Sequence, residues 1–325
     1  MGSQARAWEP ALRGIFRQAL SIGRFGAASP IADQGALSGE VQGETKRALK
    51  LRKKLTLVAK YTVAVLIAAF ILAPLLWTLL CSLKPNSELL RYPPTILPQK
   101  FIFSHYTNLL TETYFPSYFF NSFIVALIAT PITLLIATPG AYSLTRFKYR
   151  GRDTFATFLL FSYMVPLLLL GLPMFMLMSL FHLLNTRASL ILSYVAFCLP
   201  FCMWMLRSFF LSIPKSIEEA AMVDGASRGQ ALVRIVMPLA MPGLISCGIF
   251  TFVLVWNEYT LALLFIRSEH LKTLPLGMVA FMGQIASQWG YLLPAIILMI
   301  APLLVVFMFV QRALVRGFLA GATKG

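Results

Sequence analysis

The sequence predicts an all-α polytopic membrane protein with six transmembrane helices. Three observations predict it. Of 325 residues, 58% are hydrophobic and only 12% are charged, about half the charge of an average soluble domain. Six stretches of about 20 residues are apolar enough to cross a bilayer. The 28 Lys and Arg, set against 12 Asp and Glu, gather between alternate stretches. A soluble chain of this size would lack polar residues to cover its exterior. The composition excludes an ordinary soluble enzyme, a disordered chain and a secreted disulfide scaffold.

Residues 1–55 precede the spans. They hold Arg6, Arg13, Arg17 and Arg24 among Gly, Ser and Ala. There is no apolar run of signal-peptide length, so a cleaved secretory signal is not expected. The stretch reads as a cytoplasmic extension, disordered or interfacial. Residues 56–314 hold the six-helix domain, and 315–325 form a cytoplasmic tail.

The first span covers 61–81 and the second 118–142. The third, 154–180, and the fourth, 188–206, carry no charge. The fifth, 239–266, contains Glu258, and the sixth covers 291–311. Pro74, Pro131, Pro139, Pro166, Pro173, Pro200, Pro294 and Pro302 lie inside these spans. Membrane helices tolerate proline where neighbours re-satisfy the freed backbone groups. Such helices are expected to surround something or to move. No internal repeat supports an inverted-repeat architecture.

With six spans the termini share a side. That side's segments hold 22 of the Lys and Arg, and the other side's loops hold 6: Lys84, Arg91, Lys100, Arg187, Arg267 and Lys272. The positive-inside rule therefore puts both termini in the cytoplasm. The basicity reads as topology. The basic and aromatic interleaving that grips single strands is missing, so no nucleic-acid partner is expected.

Cys81, Cys198, Cys202 and Cys247 lie in or beside apolar runs. Cys198 and Cys202 share a helix face, but without a neighbouring His they read as apolar filler rather than a metal or redox pair. His105, His182 and His270 fall near external loops without metal-ligand spacing and read as solvated. The Met- and Phe-rich stretch 164–178 reads as packing rather than a substrate-lining wall. Trp289 and Tyr291 fit an interfacial belt.

The longest cytoplasmic loop, 212–238, is the informative one. Pro214 sits near a helix start, and Glu218 and Glu219 occupy the early turns, where the helix dipole favours acids. Asp224-Gly225 ends that helix. Gly225 supplies either a left-handed C-terminal residue or room for close approach. A second amphipathic piece, 230–237, leads to Pro238. Three of the 12 acids, Glu218, Glu219 and Asp224, thus gather in one short helix. The loop either packs on its own bundle or docks a partner.

Glu219-Ala220-Ala221, then Gly225 six residues after the Glu, then Ile235 and Pro238, resembles the "EAA" motif of ATP-binding-cassette importer permeases. Every fixed position fits except the penultimate, where Met237 replaces Leu, a volume-conserving change. The likeness runs from about residue 61 to 325 and is similar to the carbohydrate-uptake branch, in particular the six-helix permease of the maltose system. Ser82-Leu83-Lys84-Pro85, Asn121-Ser122, Ala141 to Phe147, Trp256-Asn257-Glu258 and Gly321 to Gly325 carry it.

The resemblance implies the type I importer permease fold, MetI-like, with a cytoplasmic coupling helix. It implies that two permeases form a heterodimeric pore, and that each presents its EAA helix to a cytosolic ATPase dimer. An extracytoplasmic binding protein would deliver the sugar. Glu218, Glu219, Ala220, Ala221, Asp224 and Gly225 would form the docking helix. Ile235 and Pro238 would hold the loop to the bundle, and Gly321 to Gly325 would also touch the ATPases. The chain has no G-x-x-x-x-G-K-[ST] phosphate loop. A non-catalytic pore subunit in the bacterial inner membrane, without a cofactor, is therefore expected.

Glu258, with Trp256 and Asn257, either lines or gates the substrate path or is hydrogen-bonded near the external surface. Residues 283–290 would reach the binding protein. A stand-alone secondary transporter or channel is the alternative; it needs intramembrane coupling carboxylates, for which only Glu258 qualifies. A membrane-embedded enzyme would need a catalytic cluster that the spans lack.

Overall fold

A computed structural model describes residues 34–282 and 289–322. The expected N-terminal extension before residue 34, most of the 283–290 loop and the end of the C-terminal tail lie outside these residues. Every regular element among the described residues is helical. Two compact units divide between Leu72 and Ala73. That division falls within α1, Gln34–Ser82. The remaining elements belong to the second unit.

After α1 come two short helices, α2 (Asn86–Leu89) and α3 (Ser104–Glu112). The long helix α4 covers Phe115–Arg146 and is followed by α5 (Arg152–Tyr163), α6 (Leu167–Leu180) and α7 (Arg187–Ser212). Next are α8 (Lys215–Val223), α9 (Arg228–Ala231), a π-helical turn at Leu232–Val236 and α10 (Met237–Leu239). Helices α11 (Met241–Asn257), α12 (Thr260–Phe265), α13 (Leu274–Met282) and α14 (Trp289–Ala322) complete the order.

Four helices are long and apolar enough to cross a bilayer, and two bent pairs bring the number to six when each counts as one span. The first pair corrects the uninterrupted third span. Helices α5 and α6 meet at 99°, because Pro166 lies in the extended region and cannot donate to the ladder. Pro131, Pro139, Pro200, Pro294 and Pro302 instead stay inside continuous helices. The second pair bends by 78° where the segment Arg228–Leu239 meets α11. The fifth span also differs from expectation. Helix α11 stops at Asn257, and α12 restarts at Thr260, so Glu258 occupies a break rather than a helix interior.

Helices α4 and α7 form the centre of the bundle. Ala126, Ala129, Ala137 and Ala141 of α4 are completely buried, and small residues let membrane helices approach closely. One core cluster gathers Tyr118, Val125, Tyr194, Cys198, Trp256 and Leu274. A second gathers Tyr142, Leu206, Phe210, Val236 and Ala240 at the end that carries the 212–238 loop. The four cysteines are buried and free. Cys202 turns its sulfur to the Thr251 hydroxyl at 3.2 Å. Helix α6 packs through one face: Met178 lies in the core and Leu167, Met174 and Phe175 pack against it, while Leu168, Leu169, Leu172, Met176 and Leu177 are exposed. One expectation changes. His105 is half-buried rather than solvated, with Nε2 3.0 Å from the Lys84 carbonyl.

Candidate functional site

The 212–238 loop folds into α8, a tight turn and a short second helical segment. Helix α8 begins after Pro214, whose fixed φ suits a helix start. It ends in a two-bond glycine cap. The Ala226 amide donates to the Ala221 carbonyl at 3.0 Å and the Gly225 amide to the Met222 carbonyl at 3.1 Å. This pairing is the Schellman motif, whose residue beyond the helix adopts the left-handed conformation. Gly225 does so, with φ +92°, and a Cβ there would meet nothing within 4 Å. Of the two readings of Gly225, the left-handed cap therefore holds within this chain. Ser227 then opens α9 with a capping box: its hydroxyl accepts from the Gln230 amide, and the Gln230 side chain accepts from the Ser227 amide.

The three acids of α8 part ways. Glu219 and Asp224 are exposed, as are Ala220 and Gly225, while Ala221 is half-buried. Glu218 points into the bundle. It forms an ion pair with Arg146, both side chains being 5% exposed, and accepts a 2.9 Å hydrogen bond from the Tyr142 hydroxyl. Arg146 also donates to the Ile213 carbonyl at 3.0 Å. Tyr142 and Arg146 are four apart on α4, so they share one face. The neighbouring Phe147 ring lies edge-on to Tyr142 and under the Arg228 guanidinium, 5.2 Å from the ring centre. Glu218 is therefore an anchor of the helix rather than part of its outer surface. The loop's second half is held by Ala231, Val236 and Ala240, all buried. Ile235 is half-buried and Pro238 exposed.

The trio Trp256, Asn257 and Glu258 does not form one surface. Trp256 is fully buried and donates from Nε1 to the Met299 carbonyl at 3.1 Å. Glu258 is buried as well. It accepts from the Tyr194 hydroxyl at 2.6 Å and from the Leu261 and Ala262 amides at 3.0 and 3.4 Å. It thus supplies the acceptors for the free amides at the start of α12. Asn257 alone is exposed, with its amide donating to the Val253 carbonyl at 2.8 Å.

At the other end of α4 the structure adds a polar clasp that carried no role in the sequence reading. Asn121 donates to the His270 and Lys272 carbonyls at 2.8 and 2.9 Å and accepts from Arg187 Nε at 2.8 Å. The Ser122 hydroxyl accepts from the Leu274 amide at 2.7 Å. Tyr118 donates to Glu269, which also pairs with Lys272 at 2.6 Å. Partial burial raises the Glu269 carboxyl, but the Lys272 ammonium and the Tyr118 hydroxyl outweigh it and leave it below the ordinary carboxylate value. Asn185 closes the same loop, accepting from the Arg267 and Ser268 amides at 3.0 and 2.9 Å. Tyr118, Asn121 and Ser122 fall at helical spacing on one face, the pattern through which they were legible.

Known proteins show the same plan. Residues 129–319 match the model of the binding-protein-dependent transport system inner membrane component. The sulfoquinovosyl glycerol transport system permease protein SmoH of Agrobacterium fabrum is 37% identical over 78% of this chain and 89% of its own length. The diacetylchitobiose uptake system permease protein DasC of Streptomyces coelicolor is 33% identical over 81% of this chain and 95% of its own. The trehalose/maltose transport system permease protein MalG of Thermococcus litoralis is 33% identical over 81% and 95%. A chain of a bacterial ABC transporter that imports the acidic polysaccharide alginate has the same fold, with a TM-score of 0.67, 23% identity, and coverage of 87% of this chain and 99% of that one. Apolar helical spans and a polar loop that carries the glycine-capped EAA helix thus stand beside permease relatives covered over most of their length: the chain belongs to the binding-protein-dependent transport system inner membrane components, the multi-pass permease subunits of ABC importers.

Proposed function

We propose that the chain is one half of a heterodimeric pore that moves a sugar or related polyol into the cytoplasm by alternating access. Helix α8 is its contact with a separate cytosolic ATPase dimer, and a binding protein delivers the substrate on the opposite face. One observation carries the reading. Helix α8 is locked to the bundle on one side by Glu218 and leaves Glu219, Ala220, Asp224 and Gly225 open on the other. Small residues permit close approach, and the two free acids suit basic or amide donors on a partner. Both termini lie in the cytoplasm by the 22-to-6 split of basic residues. The carbohydrate class is supported by relatives named for sulfoquinovosyl glycerol, diacetylchitobiose and trehalose or maltose. Within the membrane Asn257 is the member of its trio open to a substrate. The stand-alone transporter alternative loses support, because Glu258 is held by three hydrogen-bond donors.

Co-expression with a second permease and an ABC ATPase from the same genome tests the reading. The ATPase is expected to co-purify with the chain, to be released by the double reversal Glu219→Lys and Asp224→Lys, and to be required for uptake of the transported sugar. Uptake that continues after the ATPase is inactivated refutes it.

A further inference from the structure

Helix α4 carries buried polar anchors at both ends. At one end Tyr142 and Arg146 hold α8 through Glu218. At the other, Tyr118, Asn121 and Ser122 hold the 269–274 loop. Between the anchors the helix is unbroken over Phe115–Arg146. At 1.5 Å per residue the two sets lie roughly 40 Å apart at their extremes, about the thickness of a bilayer with its headgroups. The helix packs extensively on α7 and carries four fully buried alanines, which leaves little room to bend or slide.

We propose that α4 is the strut that transmits displacement of α8 across the membrane to the 269–274 loop, with Arg146 and Asn121 as the positioning residues at its two ends. This rests on the reading of α8 as the ATPase contact. A buried ion pair adds little net stability over apolar packing, yet separating it strands two charges in the core. Helix α8 therefore does not shift without carrying the end of α4. At the far end, Asn121 uses its amide nitrogen on two loop carbonyls and its oxygen on Arg187. Movement of α4 is passed to the loop backbone rather than lost in a side chain. Loop 269–274 lies on the face opposite α8, where a binding protein arrives in the proposed topology. Nucleotide-driven closure would thus be read out at that surface through one helix.

The test uses the assembled complex of both permeases and the ATPase in lipid nanodiscs. A spin label is placed at exposed position 270 through His270→Cys, the native cysteines being buried. A non-hydrolysable ATP analogue with magnesium is the probe. In the otherwise unsubstituted complex the nucleotide is expected to change the label's spectrum. Glu218→Gln and Asn121→Ala are each expected to shrink that change at least about fivefold, the lower range of an ordinary coupling, while the ATPase still co-purifies. Tyr142→Phe, a milder change, is expected to give an intermediate effect. A full-sized response in Glu218→Gln and Asn121→Ala overturns the proposal. So does loss of the ATPase from both Glu218→Gln and Tyr142→Phe, which makes these groups part of the dock or the fold. An unsubstituted complex that never holds the ATPase overturns the docking reading itself, a different outcome from either.

Discussion

Gly225 separates two roles that a glycine in this motif can play. Its φ of +92° closes the cap of α8, and a Cβ there would meet nothing within 4 Å. Substitution therefore brings no clash within the chain; the cost is backbone strain alone. For alanine in the left-handed region that is about 1–2 kcal/mol, a factor of roughly 5–30 in the equilibrium of the turn. Asparagine tolerates the same region and is expected to lose only a fraction of this. Limited proteolysis of the loop should rank the variants Gly, Asn, Ala in decreasing protection. Uptake should rank them differently. Gly225→Asn keeps the cap but places a side chain on the exposed face beside Asp224. If that face receives a partner, transport falls sharply while the loop stays protected. Equal protection of the Ala variant and wild type would refute the cap argument. Normal uptake by the Asn variant would refute the docking role.

Three further outcomes follow from the packing. Glu218→Ala leaves Arg146 buried without its partner and should cost about 3–5 kcal/mol, read as lowered resistance to unfolding in detergent; the pair Glu218→Leu with Arg146→Met should recover most of that stability without recovering transport. Gly277→Ala forces a Cβ to 2.1 Å from the Tyr118 ring and should destabilise by about 1–3 kcal/mol, whereas at Gly140 the obstruction is the flexible end of Met203 and Ala should be close to neutral; thermal aggregation midpoints of the two variants compare them. The Glu269 clasp should survive mild acid. Its carboxyl lies below the ordinary value of 4.5, so its contribution is complete above that value and is lost as pH falls through the lowered one; the protection factor of the loop amides, corrected for the intrinsic pH dependence of exchange, should be unchanged at pH 6 and fall only below about pH 4.5.

Much of this was readable from residue order. The runs of 118–142 and 188–206 became α4 and α7 because hydropathy over about 20 residues decides partition into lipid. The Asp224-Gly225 stop became a Schellman cap because the left-handed residue is a local demand met by glycine. The third and fifth spans were legible as apolar runs but not as breaks. Pro166 interrupts its helix while Pro131 and Pro139 do not, so a proline in an apolar run does not by itself mark a break. Glu258 showed as an acid in an apolar run; its role as the acceptor at the start of α12 depends on a backbone break that composition does not encode.

The sequence by itself determined the membrane class, the six apolar spans, the charge asymmetry and the position of the EAA helix. Each of these follows from interactions within one span or one loop, where solvent transfer, propensity and capping act. Only the tertiary structure decided which acids of that helix face outward. Glu218 finds Arg146 at a separation of 72 residues, and Glu258 finds Tyr194 at 64. A carboxylate shows the same chemistry in the sequence whether it faces solvent or a buried cation. Its partner is fixed by how α4, α7 and α11 stack, because in a low-dielectric core a charge survives only where another element supplies its complement.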